Sequence, residues 1–308
     1  MKMETPPSPT GVQARNLGPM LQSQDSTGAK TSFHAVQPAN FQNNDMANKH
    51  PDVYPADFIK AGNELSHLGK EQSKPALIIL NQPIADTRVL GRLWNHTSYR
   101  LCADGGANQL YDLFKQNDPT QLDQYLPNII HGDLDSLRQD VRDHYKSRGV
   151  DVTEDPDQYS TDFGKAIKQV LREQPCQRNF LVLGTIAGRL DQGIGLLSEI
   201  YREQNSEQHP NIRFWLFSES SISFTLAPGT TTIHTPLAEK VITPNIGILP
   251  IFGPAHISTS GLEWDVEDWH TQMGGQVSTS NHIVKDQVTI STDVEVLFTV
   301  ERRKSVAG

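Results

Sequence analysis

From Lys74 onward the chain alternates short apolar runs with longer amphipathic segments. Ala76 to Leu80 is an unbroken apolar run stopped by Asn81-Gln82-Pro83, the pattern of a strand buried on both faces. Tyr99 to Ala103, Ile129-Ile130, Val150 to Thr153, Phe180 to Leu183 and Ile212 to Phe217 repeat it. Between these runs the period changes to that of a helix. Leu110, Tyr111 and Phe114 share one face, as do Leu137, Val141 and Tyr145 before Gly149. Phe163, Ala166, Ile167, Val170 and Leu171 follow a Ser160 or Thr161 cap, and Ile194, Leu197, Ile200 and Tyr201 form the next stripe. Strands alternating with helices predict a parallel sheet with right-handed crossovers.

Near Ser218 to Ser221 the helical period stops. Ile222 to Leu226, Thr231 to His234, Gly247 to Phe252, His256 to Thr259, Val288 to Ile290 and Val294 to Val300 are short β-rich pieces, with turns at Pro228-Gly229 and Gly253-Pro254. They predict a C-terminal antiparallel β-sandwich. Residues 1–70 are rich in Pro, Gln, Asn, Ser and Thr with scattered hydrophobics, so a disordered polar arm is expected, broken only by a short element near Val53 to Ile59. The expected organisation is an arm over 1–70, an α/β domain over 71–218 and a β-sandwich over 219–308.

Charge narrows the partners. The net charge is −9 and no Lys/Arg run stands out, which argues against nucleic acid or an anionic membrane surface. No apolar stretch is long enough to cross a bilayer, and Met1 to Thr10 lack a charged-then-apolar leader. The two cysteines, Cys102 and Cys176, have no metal-ligand spacing, so a reducing, cytoplasmic setting is expected.

Pro127 to Ser136 carries the most informative polar pattern. Gly132 ends a short strand, Asp133 and Asp135 follow one residue apart, and Ser136 sits where a helix cap would. Both carboxylates then project from the carboxyl end of a strand, where open α/β sheets place ligands. An acidic turn with an N-cap accounts for the same residues. However, Asp104, Asp133, Asp162 and Asp191 recur at equal intervals, each at a strand end or first helical turn, which gathers all four on one sheet edge. Carboxylates beside Ser and Thr are hard oxygen donors suited to Mg²⁺, and Mg²⁺ usually brings a polyphosphate. Arg189 and Lys165 supply positive charge, and Gly105, Gly106 and Gly184 permit close backbone approach to phosphate. Lys165 taken alone is more often a solvated helix charge, and Arg189 in the Gly188 to Gln192 run is the better candidate. There is no P-loop, no His-Glu-x-x-His and no nucleophile-elbow pattern, which disfavours P-loop nucleotide, zinc and acyl-transfer chemistry. Farther on, Trp264, Trp269 and the hydroxyl-rich Val277 to Asn281 could stack on and orient an aromatic heterocycle. A core Trp and an exposed turn explain those residues as well.

Together, Cys102-Ala103-Asp104-Gly105-Gly106-Ala107-Asn108, Gly132-Asp133-Leu134-Asp135-Ser136, Pro156-Asp157-Gln158-Tyr159-Ser160-Thr161-Asp162-Phe163 and Ala187-Gly188-Arg189-Leu190-Asp191-Gln192 resemble the motifs of the thiamine pyrophosphokinase family. Thr259-Ser260-Gly261-Leu262-Glu263-Trp264 and Ser278-Thr279-Ser280-Asn281 match in order, so the resemblance spans roughly residues 75 to 302. It implies a Rossmann-like α/β domain binding ATP and Mg²⁺, then a thiamine-binding sandwich, in a homodimer with its active site between subunits. The implied reaction is a transferase step moving pyrophosphate from ATP to the thiamine hydroxyl, leaving AMP. By the same resemblance Asp133, Asp135 and Asp162 hold Mg²⁺ and position the phosphates, while Asp191 assists the hydroxyl or completes the metal shell. Gln158 and Arg189 contact phosphate, Asp104, Gly105 and Gly106 support that edge, to which Lys165 is added from its place one turn after Asp162, and Trp264 stacks on thiamine in a pocket lined by Ser278, Ser280 and Asn281. Thr185 departs from the glycine-rich form expected before the Arg-x-Asp-Gln run.

Two other readings remain open. An aspartyl-phosphate phosphohydrolase also opens with an apolar strand and Asp-x-Asp, with Asp133 as nucleophile, and would release inorganic phosphate. A non-catalytic thiamine-binding protein would keep the pocket without making AMP.

Overall fold

The structure, a computed structural model, describes residues 49–61, 74–186 and 188–304. Six parallel strands build its first half: β1 (Ala76–Ile79), β2 (Tyr99–Ala103), β3 (Ile129–Gly132), β4 (Asp151–Glu154), β5 (Asn179–Leu183) and β6 (Arg213–Phe217), in the order β4-β3-β2-β1-β5-β6. The helices between them are α1 (Thr87–His96), α2 (Gly106–Asn117), α3 (Gln139–Lys146), α4 (Asp162–Glu173) and α5 (Leu190–Gln204). Successive side chains of a strand point to opposite faces, and the apolar runs use both. Ala76, Ile78, Phe180 and Val182 pack with α4 and α5, whereas Leu77, Ile79, Leu181 and Leu183 pack with α1, α2 and α3. Each such side chain contributes about 1.5–3 kcal/mol by leaving water.

One helix escaped the reading from strand runs. α1 carries Val89, Leu90, Leu93 and Trp94 inward, and the Asp86 carboxylate caps it by accepting from the amides of Arg88 (3.0 Å) and Val89 (3.2 Å). The turn residues Asn81-Gln82-Pro83 before it masked the stripe behind them.

The turn at Ser218–Ser221 reverses the chain without breaking the sheet. β7 (Ser221–Leu226) pairs antiparallel with β6, and β14 (Val296–Arg302), β9 (Ile242–Leu249) and β12 (Ser278–His282) follow outward, giving one ten-stranded sheet. A second sheet, β11 (Trp269–Thr271), β10 (Ala255–Ser260), β13 (Gln287–Thr292) and β8 (Gly229–His234), faces it. Phe224, Phe298, Ile257, Val288 and Ile290 share the same apolar core as α1 to α3, so α/β layer and sandwich are packed as one body. β11 and β12 were not expected, because both are edge strands of polar residues without apolar alternation.

Residues 49–61 lie within the stretch expected to be a disordered arm, yet they are packed. Val53 and His50 donate their amides to Thr232 O and Thr230 O at 2.9 Å, extending the small sheet beside β8. The 3-10 turn Asp57–Ile59 follows, with the Phe58 ring edge-on to Trp215 at 4.8 Å. Four buried apolar residues, Val53, Ala56, Phe58 and Ile59, offset the ordering entropy that the rest of the polar stretch cannot meet. The remainder of the expected arm lies outside the described residues.

Candidate active site

β2 and β3 end side by side, and the backbone turns sharply after each. Asp104 takes a positive φ of 42° just past β2 and donates its amide to His131 O at 3.0 Å. Gly132 ends β3 and lies against the Asp104 side chain. A Cβ there would stand 2.9 Å from Asp104 Cβ and 3.1 Å from Asp162 Oδ1, so the missing side chain is the space into which two carboxylates close. Asp162 comes from the first turn of α4, set by the Thr161 hydroxyl accepting from the Gly164 amide at 3.1 Å. The result is a cluster: Asp104, Asp133 and Asp162 present oxygens that all lie within 4.8 Å of one another.

Lys165 is the counter-charge. Its side chain is 1% exposed, with Nζ 3.1 Å from Asp133 Oδ2 and 3.8 Å from Asp162 Oδ1. Burial opposes ionisation of Asp133, but the Lys165 hydrogen bond overcomes it and holds that carboxyl below its ordinary range. Burial first, then repulsion from Asp133 and Asp104, pushes Asp162 up to about 6, and burial raises Asp104 as well. Oδ1 of Asp104 and Oδ1 of Asp162 are buried with no hydrogen-bond partner. Three carboxylates facing one ammonium, two of them with orphaned oxygens, are chemically suited to a hard divalent cation. The stretch after β3 is more than an acidic turn, since its Asp133 shares a site with the buried Asp104 and Lys165 and with Asp162.

The other expected residues of the edge are distributed differently. Asp135 is not one of the three clustered acids, although its amide reaches Asp133 Oδ1 at 3.4 Å; Leu134 between the two acids adopts a positive φ of 62°. Asp135 is exposed and accepts from the Ser136 hydroxyl at 3.0 Å. Asp104, whose Oδ2 receives the Ser136 amide at 3.2 Å, takes the place expected of Asp135. Arg189 and Asp191 pair with each other at the exposed start of α5, Nη2 to Oδ2 at 2.5 Å. Among the described residues neither bonds to the cluster, so the expected approach of Asp191 to the metal shell is not met within one chain. Gln158 and Tyr159 stand in solvent on a loop braced by Asp157, whose carboxylate accepts from the Tyr159 amide (2.9 Å) and the Ser160 hydroxyl (2.6 Å). Gly105 and Gly106 are buried at the entry to α2, and Thr185 is buried after β5 with its hydroxyl unpartnered.

The C-terminal candidates do converge. Trp264, Ser278, Ser280 and Asn281 line one cleft of about 280 Å³ with Trp269 and Ile257 among its other walls. Trp264 is 55% exposed, so its ring is presented to whatever enters. Asn281 has a different role from the one expected. It is buried, its Oδ1 accepts from the amides of Trp264 (3.1 Å) and His282 (2.8 Å), and its Nδ2 donates to Trp264 O (2.8 Å). It fixes the Trp264 backbone, and its amide group is consumed in doing so. β12 and β2 are seven strand steps apart in the sheet, about 30 Å at the usual spacing, so cleft and cluster cannot close on one small molecule within a single chain. A separate cavity of about 710 Å³ lies at the opposite strand ends beside Arg178, Arg213 and Trp215 and holds none of the expected residues.

A parallel sheet with an acidic rim, joined to a sandwich with an aromatic cleft, defines a two-substrate α/β architecture. Residues 90–213 match the model for the thiamin pyrophosphokinase catalytic domain, and residues 230–297 that for the thiamin pyrophosphokinase vitamin B1 binding domain. Thiamine pyrophosphokinase 2 of Arabidopsis thaliana is 34% identical over 241 residues, covering 75% of this chain and 87% of the relative. Thiamine pyrophosphokinase of Saccharomyces cerevisiae is 30% identical over 286 residues, covering 77% and 88%. The crystal structure of yeast thiamin pyrophosphokinase superposes with a TM-score of 0.72 at 27% identity, covering 84% of this chain and 93% of that one. That from Candida albicans gives 0.67 at 25% identity, covering 85% and 98%. The chain belongs to the thiamine pyrophosphokinase family.

Proposed function

We propose that this protein transfers the diphosphoryl group of ATP to the hydroxyl of thiamine, giving thiamine diphosphate and AMP, in a Mg²⁺-dependent reaction. The observation that carries the site assignment is the group formed by Asp104, Asp133 and Asp162 over Gly132, with two buried oxygens lacking a hydrogen-bond partner. These three residues would hold Mg²⁺, which when bound neutralises charge on the phosphates being transferred. Lys165 keeps Asp133 ionised and pointed into the group. Asp135 lies beside them and serves as an outer ligand, and the exposed Arg189 and Gln158 would meet phosphate from the solvent side, Arg189 by leaving its pairing with Asp191. Such a transfer needs alignment and charge neutralisation more than covalent help.

Thiamine belongs in the Trp264 cleft, stacked on the ring and oriented by the hydroxyls of Ser278 and Ser280. Because cleft and acidic rim are far apart in one chain, the complete site is formed by two copies, with the sandwich of one subunit facing the α/β layer of the other. Exposed Ile186, Leu190, Ile194 and Tyr201 at the start and along one side of α5, next to Arg189 and Asp191, supply an apolar surface for that homodimer. We assign residues 71–218 to ATP and Mg²⁺ and 219–308 to thiamine. Among the described residues no helix is long and apolar enough to cross a membrane, and both cysteines are unpaired, which suits a cytoplasmic setting.

The test is AMP formation from Mg²⁺-ATP with and without thiamine. Thiamine-dependent AMP supports the proposal. Inorganic phosphate released without AMP would restore the phosphohydrolase reading, and thiamine binding without AMP the binding-protein reading.

A further inference from the structure

α4 and α5 are joined by a buried carboxylate that no motif singles out. Glu199, in the third turn of α5, has a side chain 5% exposed, whereas its ion-pair partner Arg202 is 67% exposed, at 2.8 Å. The other carboxylate oxygen, Oε2, accepts a hydrogen bond from the Thr161 hydroxyl. That hydroxyl also receives the Gly164 amide at 3.1 Å, so it serves both as the N-cap of α4 and as its tie to α5. Glu199 Oε1 fills the space that a Cβ at position 164 would need, so only glycine there lets the two helices meet this closely. The residue after Thr161 is Asp162, a member of the acidic group, and one turn later comes Lys165, its counter-charge.

We propose that Glu199 is a positioning residue for the divalent-cation site: through Thr161 it sets the first turn of α4, and with it the place of the Asp162 carboxylate relative to Asp104 and Asp133. It also registers α4 against the helix that begins with Arg189 and Asp191. A buried acceptor oriented toward a capping hydroxyl acts as outer support does in metal sites, where its loss typically weakens the cation by about 10–100-fold. The inference rests on reading the three carboxylates as the cation site.

The experiment is Mn²⁺ binding to the full chain, measured by electron paramagnetic resonance of free Mn²⁺ without ATP or thiamine. Glu199→Ala should weaken Mn²⁺ about tenfold or more, while Glu199→Gln, whose amide oxygen still accepts from Thr161, should stay near wild type. Thr161→Val should weaken Mn²⁺ to the same degree, and adding Glu199→Ala to it should change nothing further, because the two act in series. Thr161→Ser should restore binding. Should Glu199→Ala not fold, the Thr161→Val and Thr161→Ser pair carries the test. Wild-type Mn²⁺ affinity in Glu199→Ala or Thr161→Val, or additive losses in the double variant, would overturn the proposal. Failure of the wild-type chain itself to bind Mn²⁺ would instead remove the cation-site reading on which it stands.

Discussion

Asp162→Asn should make the cation-free protein more stable while abolishing its response to Mg²⁺. The Asp162 carboxyl is pushed up from 3.8 to about 6 in the folded protein, by burial and by two neighbouring acids. A shift of that size is roughly 3 kcal/mol against the ionised form, at about 1.4 kcal/mol per pH unit. The side chain is 40% exposed, so solvent screening reduces this to about 1 kcal/mol. The sign follows from proton binding: a carboxyl with a raised folded-state pKa holds its proton more tightly when folded, so stability falls as pH rises from 3.8 to about 6 and stays lower above it. The isosteric amide removes that loss. In chelator at pH 7.5 the variant should melt about 2–4 °C above wild type, and the gap should close near pH 4. Mg²⁺ should raise the wild-type melting temperature at pH 7.5, progressively less as pH falls through 6, and leave the variant unmoved. Turnover in the variant should drop by orders of magnitude. A variant that melts below wild type in chelator, or gains as much from Mg²⁺, would refute the repulsion argument.

Three further outcomes are expected. Trp264→Ala should weaken thiamine about tenfold, the size of a lost stacking contact, with ATP affinity unchanged; calorimetry showing equal thiamine affinity would remove the ring from the site. Leu190→Glu or Ile194→Glu, on residues 78% and 58% exposed, should split the dimer and abolish activity without lowering the melting temperature; sedimentation of either variant as a dimer would move the interface elsewhere. Asp86→Ala should destabilise by about 3 kcal/mol in urea unfolding, because it removes the cap of α1 and leaves Arg302, now 3.1 Å away and 3% exposed, a buried cation without its carboxylate. A loss below about 1 kcal/mol would show that water compensates Arg302.

The parallel half of the fold was legible because its central strands are apolar on both faces, as at Ile78 and Ile79, although the edge strand β4 is polar and partly exposed. β12 was not, since Ser278 to His282 form a strand only through hydrogen bonds to β9, which composition does not encode. At the rim, equal spacing pointed to Asp104, Asp133 and Asp162, and these three do meet. The same spacing pointed to Asp191, which faces outward, because α5 starts beyond the turn at Gly188 and its first residues are solvent-facing. That Asp133 and not Asp135 joins the cluster was not legible, and no residue type announces the positive φ at Leu134 between them. Asn281 was visible as a polar residue near Trp264, but its closed bonding to the Trp264 backbone requires the hairpin partner to be in place.

The hairpin between Phe217 and Ser221 has a mechanical consequence. Because β6 and β7 share a ladder, the two halves of the chain cannot swing against each other as hinged lobes do around a ligand. Enclosure of reactants must then come from short surface segments, such as the Asp157-braced loop presenting Gln158 and Tyr159, and from how a second subunit is seated. In the proposed dimer, the distance between donor and acceptor substrates would be set by how the two copies are seated.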